Sequence, residues 1–253
     1  MSEFSIGYDL LLMLFLTGML AGSLDAMAGG GGLLTLPMLL AVGLAPTEAL
    51  ATNKLQGAFG TFSSSLYFIR HQLVDPRSML LPIALTFTGS ASGTLLVQHL
   101  DSAFLTRIIP VLLIATALYF WFGPSIREGE KRKCVGERLF ALMIGFTIGF
   151  YDGFFGPGAG TFFTLGYVTL MGFDLLQATA HTKILNFTSN IAALLFFAAG
   201  GKVVWGMGLV MAAGQLIGGR LGARLVHHKG ARLIRPVIVF VCILISIKLM
   251  ISP

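Results

Sequence analysis

From its first dozen residues to its last, the chain sets long apolar stretches between short polar or glycine-rich interruptions. Nearly unbroken apolar runs occupy Leu10–Leu24, Leu80–Val97, Phe104–Phe122, Leu139–Phe150, Ile191–Ala199, Leu209–Ile217 and Val237–Met250. With their Ala, Gly, Ser and Thr flanks, several approach the ~20 residues that carry a helix across a bilayer core. The pattern predicts an all-α, multi-spanning membrane protein. Because the runs recur to the end, they do not read as a single cleaved signal peptide.

Composition sharpens this reading. Of 253 residues, 55% are apolar and 11% charged, where a soluble domain carries about 25% charge; the mean hydropathy is +0.85. The net charge of +6 does not point to nucleic acid, because 12 of the 17 Lys and Arg fall in three connections. These hold Arg70 and Arg77; Arg127, Lys131, Arg132, Lys133 and Arg138; and Arg220, Arg224, Lys229, Arg232 and Arg235. Such clustering marks cytoplasmic loops. Cys134 and Cys242 share no Cys/His spacing of a metal site, so neither a metal nor a cofactor is expected.

The chain is also written twice. At an offset of 127, Gly18, Gly22, Asp25, Gly29 and Gly31 fall on Gly145, Gly149, Asp152, Gly156 and Gly158. Ala49, Ala51 and Lys54 match Ala178, Ala180 and Lys183 at 129, and Gly89, Gly93 and Pro110 match Gly214, Gly218 and Pro236 at 125 to 126. One transmembrane domain, 1–253, therefore divides into a repeat at 1–122, a basic cytoplasmic linker at 123–138 and a second repeat at 139–253. Each repeat holds five apolar pieces, near 9–28, 32–44, 49–69, 79–99 and 104–122, then 139–155, 158–171, 178–199, 204–222 and 233–251. With the basic connections inside, both termini lie outside and the second repeat is inverted relative to the first, as in many secondary transporters. The first two pieces of each repeat are either two spans or one re-entrant hairpin.

The glycines of "LDAMAGGGGLLTLP" stand beside a piece of about 12 residues, roughly 18 Å of helix, which falls short of the ~30 Å hydrocarbon core. Such a run predicts a broken membrane helix, whose exposed backbone is tolerated where it lines a wet cavity. The amides opening the next helix form a natural anion seat. A phosphate loop would need a Lys after the glycines, and none follows. Gly18/Gly22, Gly145/Gly149/Gly153, Gly89/Gly93 and Gly214/Gly218/Gly222, spaced by four, instead predict close helix packing, within the chain or in a homodimer.

Ionisable groups at membrane depth default to functional candidates. Gly29, Gly30, Gly31, Gly32, Asn53, Lys54 and Gln56 in the first repeat form one substrate-binding set, and Gly156, Pro157, Gly158, Lys183, Asn186 and Asn190 form the other. Two Lys reached by glycine amides would make a cationic pocket for a small anion. Asp25, Asp152 and His181 are candidates for proton coupling, and the two Asp equally for ion pairs holding the breaks shut.

At these residues, "DAMAGGGGLLTLP" with "ALATNKLQ" and "GFYDGFFGPGAG" with "ATAHTKILN", the sequence resembles the TauE/SafE family of sulfite exporters, in its YfcA-like branch of bacterial inner-membrane proteins. The resemblance covers nearly the whole chain. It implies a duplicated helical carrier in the bacterial inner membrane, with periplasmic termini, that exports sulfite or an organosulfonate by alternating access. A passive anion channel, an importer and, further off, a membrane-embedded enzyme are the alternatives. The expected partners are the small anionic substrate and the lipid bilayer.

Overall fold

The computed structural model describes residues 7–122 and 133–229, and among these there is no strand. Helix α1 (Tyr8–Ala28) leads into α2 (Gly32–Ala41), α3 (Pro46–Arg70), α4 (Leu80–Gln98, entered through a 3-10 turn at Pro76–Met79) and α5 (Ser102–Phe122). After the basic connection come α6 (Glu137–Phe140), a π-helical stretch (Ala141–Phe146) and α7 (Thr147–Phe154), which run on as one rod. They are followed by α8 (Ala159–Met171), α9 (Leu175–Ala199) and α10 (Trp205–Lys229). The apolar piece at 233–251 and most of the 123–138 linker lie outside the described residues. The second half begins its helix at Glu137, two residues before the expected boundary.

Local chemistry sets the ends. Pro46 opens α3 at a position where a missing N–H costs nothing, and the Glu48 carboxylate accepts the Ala45 N–H at 3.1 Å. Asp174 caps α9 by accepting the Gln177 N–H at 2.8 Å. Four helical segments, Tyr8–Ala28, Pro76–Gln98, Ser102–Tyr119 and Leu175–Ala199, are long and apolar enough to cross a membrane. Helix α3 is as long as α9, with 25 residues each, yet more polar. Its polar residues Thr52, Asn53, Lys54, Gln56, Thr61, Ser64 and Ser65 are all buried. It is an interior helix sheltered by its neighbours, which explains a composition that lipid would not tolerate. The 10 residues of α2 and 13 of α8 measure only about 15 and 20 Å.

Glycines bring the helices together at backbone distance. A β-carbon on Gly18 would stand 2.3 Å from the Met211 carbonyl oxygen, and one on Gly218 would stand 2.0 Å from that of Met19. These contacts join α1 to α10. On the other side α7 joins α4: the same construction on Gly153 reaches 2.0 Å from the Ser90 oxygen, and on Gly93 2.1 Å from that of Phe150. The contacts refine the sequence register. Gly89 and Gly93 meet Phe146 and Phe150, whereas Gly218 and Gly222 meet Met19 and Ser23. Gly89 and Gly93 thus stand against α7 as Gly218 and Gly222, 129 positions later, stand against α1, where the sequence matching had set Gly214 and Gly218. The starts of α3 and α9, at Pro46 and Leu175, and their ends, at Arg70 and Ala199, carry the same offset of 129. Gap-free glycine spacing by four matches itself after a one-turn slip, so sequence alone had no means of choosing.

Two apolar clusters flank the centre. One gathers Leu14, Leu36, Leu50, Leu55, Phe155 and Phe197, and the other Phe68, Phe140, Phe163, Tyr167 and Leu185.

Candidate functional site

Both glycine-rich segments lie between consecutive helices, α1 and α2 in the first half and α7 and α8 in the second, and the two connections touch. Gly29 closes α1 in the left-handed conformation (φ +74°), its N–H donating to the Asp25 carbonyl at 2.7 Å. This is the usual way glycine ends a helix. In the second half Gly156 (φ +102°) and Gly158 (φ +87°) do the turning between α7 and α8. A β-carbon on Gly29 would fall 2.4 Å from the Gly160 Cα, and one on Gly32 3.2 Å from the Pro157 Cα. The Thr161 hydroxyl donates to the Ala28 carbonyl, and the Tyr151 hydroxyl to that of Pro157 at 2.7 Å. The tetraglycine is therefore the surface on which the second connection rests.

Two lysines cross between the halves. Lys54 of α3 donates to Asp152 Oδ1 of α7 at 2.6 Å, with the side chains 1% and 6% exposed. Lys183 of α9 lies 3.1 Å from Asp25 Oδ2 of α1 and also donates to the Asp25 main-chain carbonyl; here the side chains are 1% and 18% exposed. Each Asp precedes one connection and is held by the Lys of the opposite half. Removing one member of a pair this buried leaves an uncompensated charge, costing about 3–5 kcal/mol. Of the two readings left open, a cationic pocket or Lys–Asp ion pairs, the geometry has the pairs: two Lys meet two Asp, and their formal charges cancel.

Beside the pairs lies a small cavity with about 30 Å³ of room for the centres of water-sized molecules. From the expected set it is lined by Gly29, Gly31, Gly32, Asn53, Lys54, Gln56, Gly156, Asn186 and Asn190, with Asp25 and Asp152. Gly30, Pro157 and Gly158 belong to the glycine-rich connections without lining it, and Lys183, outside the lining, donates to Asp25. His181 is elsewhere. Its ring packs 4.7 Å from that of Phe173 and 5.3 Å from that of Tyr167, and its Nδ1–H donates to the Gln177 carbonyl at 2.8 Å. Two residues before Lys183 on α9, it points to a different face from the wall that Asn186 and Asn190 form, and His181, a candidate for proton coupling, does not line the cavity.

The structure adds residues that the sequence reading passed over. Gln215 of α10, Gly57 of α3, and Ala159 and Gly160 of α8 line the cavity. Gln215 Nε2 donates to Gln56 Oε1, and Gln56 Nε2 donates to Asn53 Oδ1 at 2.8 Å. The Thr35 hydroxyl donates to that same Asn53 oxygen at 2.5 Å. This relay fixes the amides by bonds to one another. Its signal was present: a lone Gln within the apolar run Leu209–Ile217 is expensive unless partnered. At the connections, the amides of Gly31, Gly32 and Gly160 donate to no acceptor among the described residues, as the first N–H groups of a helix must unless something else takes them.

Fold and cavity together define a helical membrane protein with a polar, ion-paired centre lined in part by two glycine-rich connections between helices. The chain belongs to the TauE/SafE sulfite exporter family, whose profile matches residues 14–249, and is a transmembrane transporter of that family. It is 51% identical, over 98% of this chain and 93% of the relative, to "Probable membrane transporter protein YfcA" of Escherichia coli K12. It is 46% identical over 96% of both chains to a "Probable membrane transporter protein" of Haemophilus influenzae. A Bacillus subtilis relative, "Probable membrane transporter protein YunE", is 24% identical over 94% of this chain. No solved structure matches it.

Proposed function

We propose that the protein is a secondary carrier that moves a small sulfur-containing anion, sulfite or an organosulfonate, outward across the bacterial inner membrane by alternating access. The observation that carries the reading is the meeting of the two glycine-rich connections, with Lys54 and Lys183 each reaching an Asp of the other half. On this reading the halves are inverted repeats related by an axis in the membrane plane, a plan shared by many secondary transporters. Helices α2 and α8 are the short half-crossings of broken or re-entrant helices. Their free glycine amides, at the positive ends of two helix dipoles, supply the anion's hydrogen bonds, and Asn53, Gln56, Asn186 and Asn190 hold its remaining oxygens.

Charge neutrality accounts for selectivity. A cavity with an unpaired cation would bind any anion permanently, whereas one with cancelled charges binds only a solute that reorganises a pair. Rocking of one half against the other then exposes the cavity to either side. The family to which the chain belongs supports sulfite as the first substrate to test.

The test is flux of labelled sulfite into and out of proteoliposomes holding the purified chain. Saturable flux that responds to a pH gradient supports the carrier. Linear, non-saturating flux replaces it with a channel, and product formation without flux replaces it with an enzyme.

A further inference from the structure

The two Lys–Asp pairs look equivalent in sequence but differ at three points. First, Lys54 lines the cavity and Lys183 does not. Second, among the described residues Lys54 Nζ has Asp152 as its one hydrogen-bond partner, whereas Lys183 Nζ holds both the carboxylate and the main-chain carbonyl of Asp25. Third, the space beside the pairs differs. A β-carbon on Gly156 would stand 2.8 Å from Lys54 Nζ and 3.1 Å from Asp152 Oδ1, so this glycine keeps one side of the pair clear. Its counterpart Gly29 clears space for the Gly160 backbone instead.

From these differences we infer a division of labour, resting on the transport reading above. Lys54–Asp152 is an exchange pair, and Lys183–Asp25 is a fixed latch on the end of α1. When Asp152 takes a proton, the Lys54 ammonium loses its one charged partner in a buried place. An anion entering over Gly156 replaces the carboxylate, so that Lys54 donates to an anion oxygen where it had donated to Asp152 Oδ1. One proton and one monoanion, hydrogensulfite or a sulfonate, thus enter together, and the net charge of the pair with its cargo is unchanged. Protonation of Asp25 has no such consequence, because Lys183 keeps the main-chain carbonyl.

No other charge competes at this place. Asp25 on α1 is the remaining ionisable side chain lining the cavity among the described residues, and it keeps Lys183 of α9 as its partner. Helices α8 and α10 contribute Ala159, Gly160 and Gln215, all uncharged. Helix α4 faces α7 with Thr94, whose hydroxyl donates to the Gly153 carbonyl at 3.1 Å, and its Ser90 hydroxyl donates to the Ser189 carbonyl at 2.8 Å. On α7 itself, the Tyr151 hydroxyl is committed to Pro157.

The experiment adds sulfite to lightly buffered, purified protein at matched pH, acidic enough that the solute is already the hydrogensulfite monoanion, reading binding and proton uptake together. The wild-type chain is expected to take up about one proton per sulfite bound. Asp152→Asn keeps a neutral partner of the same shape, so it binds sulfite without proton uptake and with an affinity that no longer depends on pH. Lys54→Met/Asp152→Asn stays monodisperse and binds sulfite roughly thirtyfold or more weakly, as for loss of a desolvated charge contact. Lys183→Met/Asp25→Asn melts at a lower temperature and, at whatever affinity remains, still takes up about one proton for each sulfite it binds. Should the Lys54→Met/Asp152→Asn protein fail to fold, Asp152→Asn carries the test alone. Proton uptake persisting in Asp152→Asn, or wild-type affinity in Lys54→Met/Asp152→Asn, overturns the assignment and leaves the transport reading standing. A wild-type chain that neither binds nor moves sulfite overturns both.

Discussion

Gly29 and Gly160 pack Cα against Cα: a β-carbon added to either would fall within about 2.5 Å of the other's backbone. One ends α1 and the other opens α8, so the two halves meet at a point with no room for a side chain. Gly29→Ala adds a left-handed conformation, about 1–2 kcal/mol, to a collision with backbone that has no rotamer to escape into. The expected outcome is loss of the monodisperse folded protein. Gly43→Ala has a similar φ of +91° but nothing within 4 Å, and should cost only the conformational term. Thermal melting of the two variants side by side separates strain from contact.

The packing glycines make a second prediction. Gly153→Ala and Gly218→Ala each drive a methyl to 2.0 Å from a main-chain oxygen, and should destabilise by about 1–3 kcal/mol or more, the range for overpacking. Gly206→Ala meets nothing within 4 Å and lies in the first turn of α10. It should be neutral or slightly stabilising, since Ala is the better helix former. Equal melting temperatures for all three would show that these helices do not pack as described.

Gln215 is expected to matter more than its apolar setting suggests. Gln215→Leu removes the donor that holds Gln56, which in turn holds Asn53. Leaving buried partners unmade costs about 1–3 kcal/mol, so sulfite flux at low concentration should fall by roughly tenfold or more. Wild-type flux with a lowered melting temperature would assign Gln215 to stability alone.

His181 and Lys133 serve as contrasting controls. His181 packs with Tyr167 and Phe173 away from the cavity, so His181→Gln should leave the pH dependence of sulfite flux unchanged. Lys133 pairs with Glu137 at 3.2 Å, with both side chains at least half exposed. Lys133→Ala should change stability by less than about 1 kcal/mol and flux not at all. A shifted pH profile in His181→Gln would return the imidazole to the proton path.

Much of the architecture was legible because it is local. Apolar runs announced the helices, since length and transfer energy suffice to place a span. Four adjacent glycines announced a helix end because no helix face accommodates them, and α1 does end at Ala28, with α2 beginning at Gly32. The same locality concealed other features. His181 precedes Lys183 by two residues, but two residues on a helix point to different faces. Gln215 looked like one polar letter in an apolar helix until α10 was seen lying against α3.

What the sequence by itself determined was the placement of helical segments in the described chain, the glycine-rich connections between them and the inventory of charges among the apolar segments. Each depends on a few neighbouring residues and on the solvent they face. Only the tertiary structure decided that Lys54 answers Asp152 and Lys183 answers Asp25, so that ion pairs stand where a cationic pocket was the other reading. It likewise decided that glycine contacts run at an offset of 129, and that Gly156 clears the space over one pair alone. Partnership between residues 98 and 158 positions apart follows from which helices can approach to backbone contact, and that is a property of surfaces brought together rather than of any segment alone.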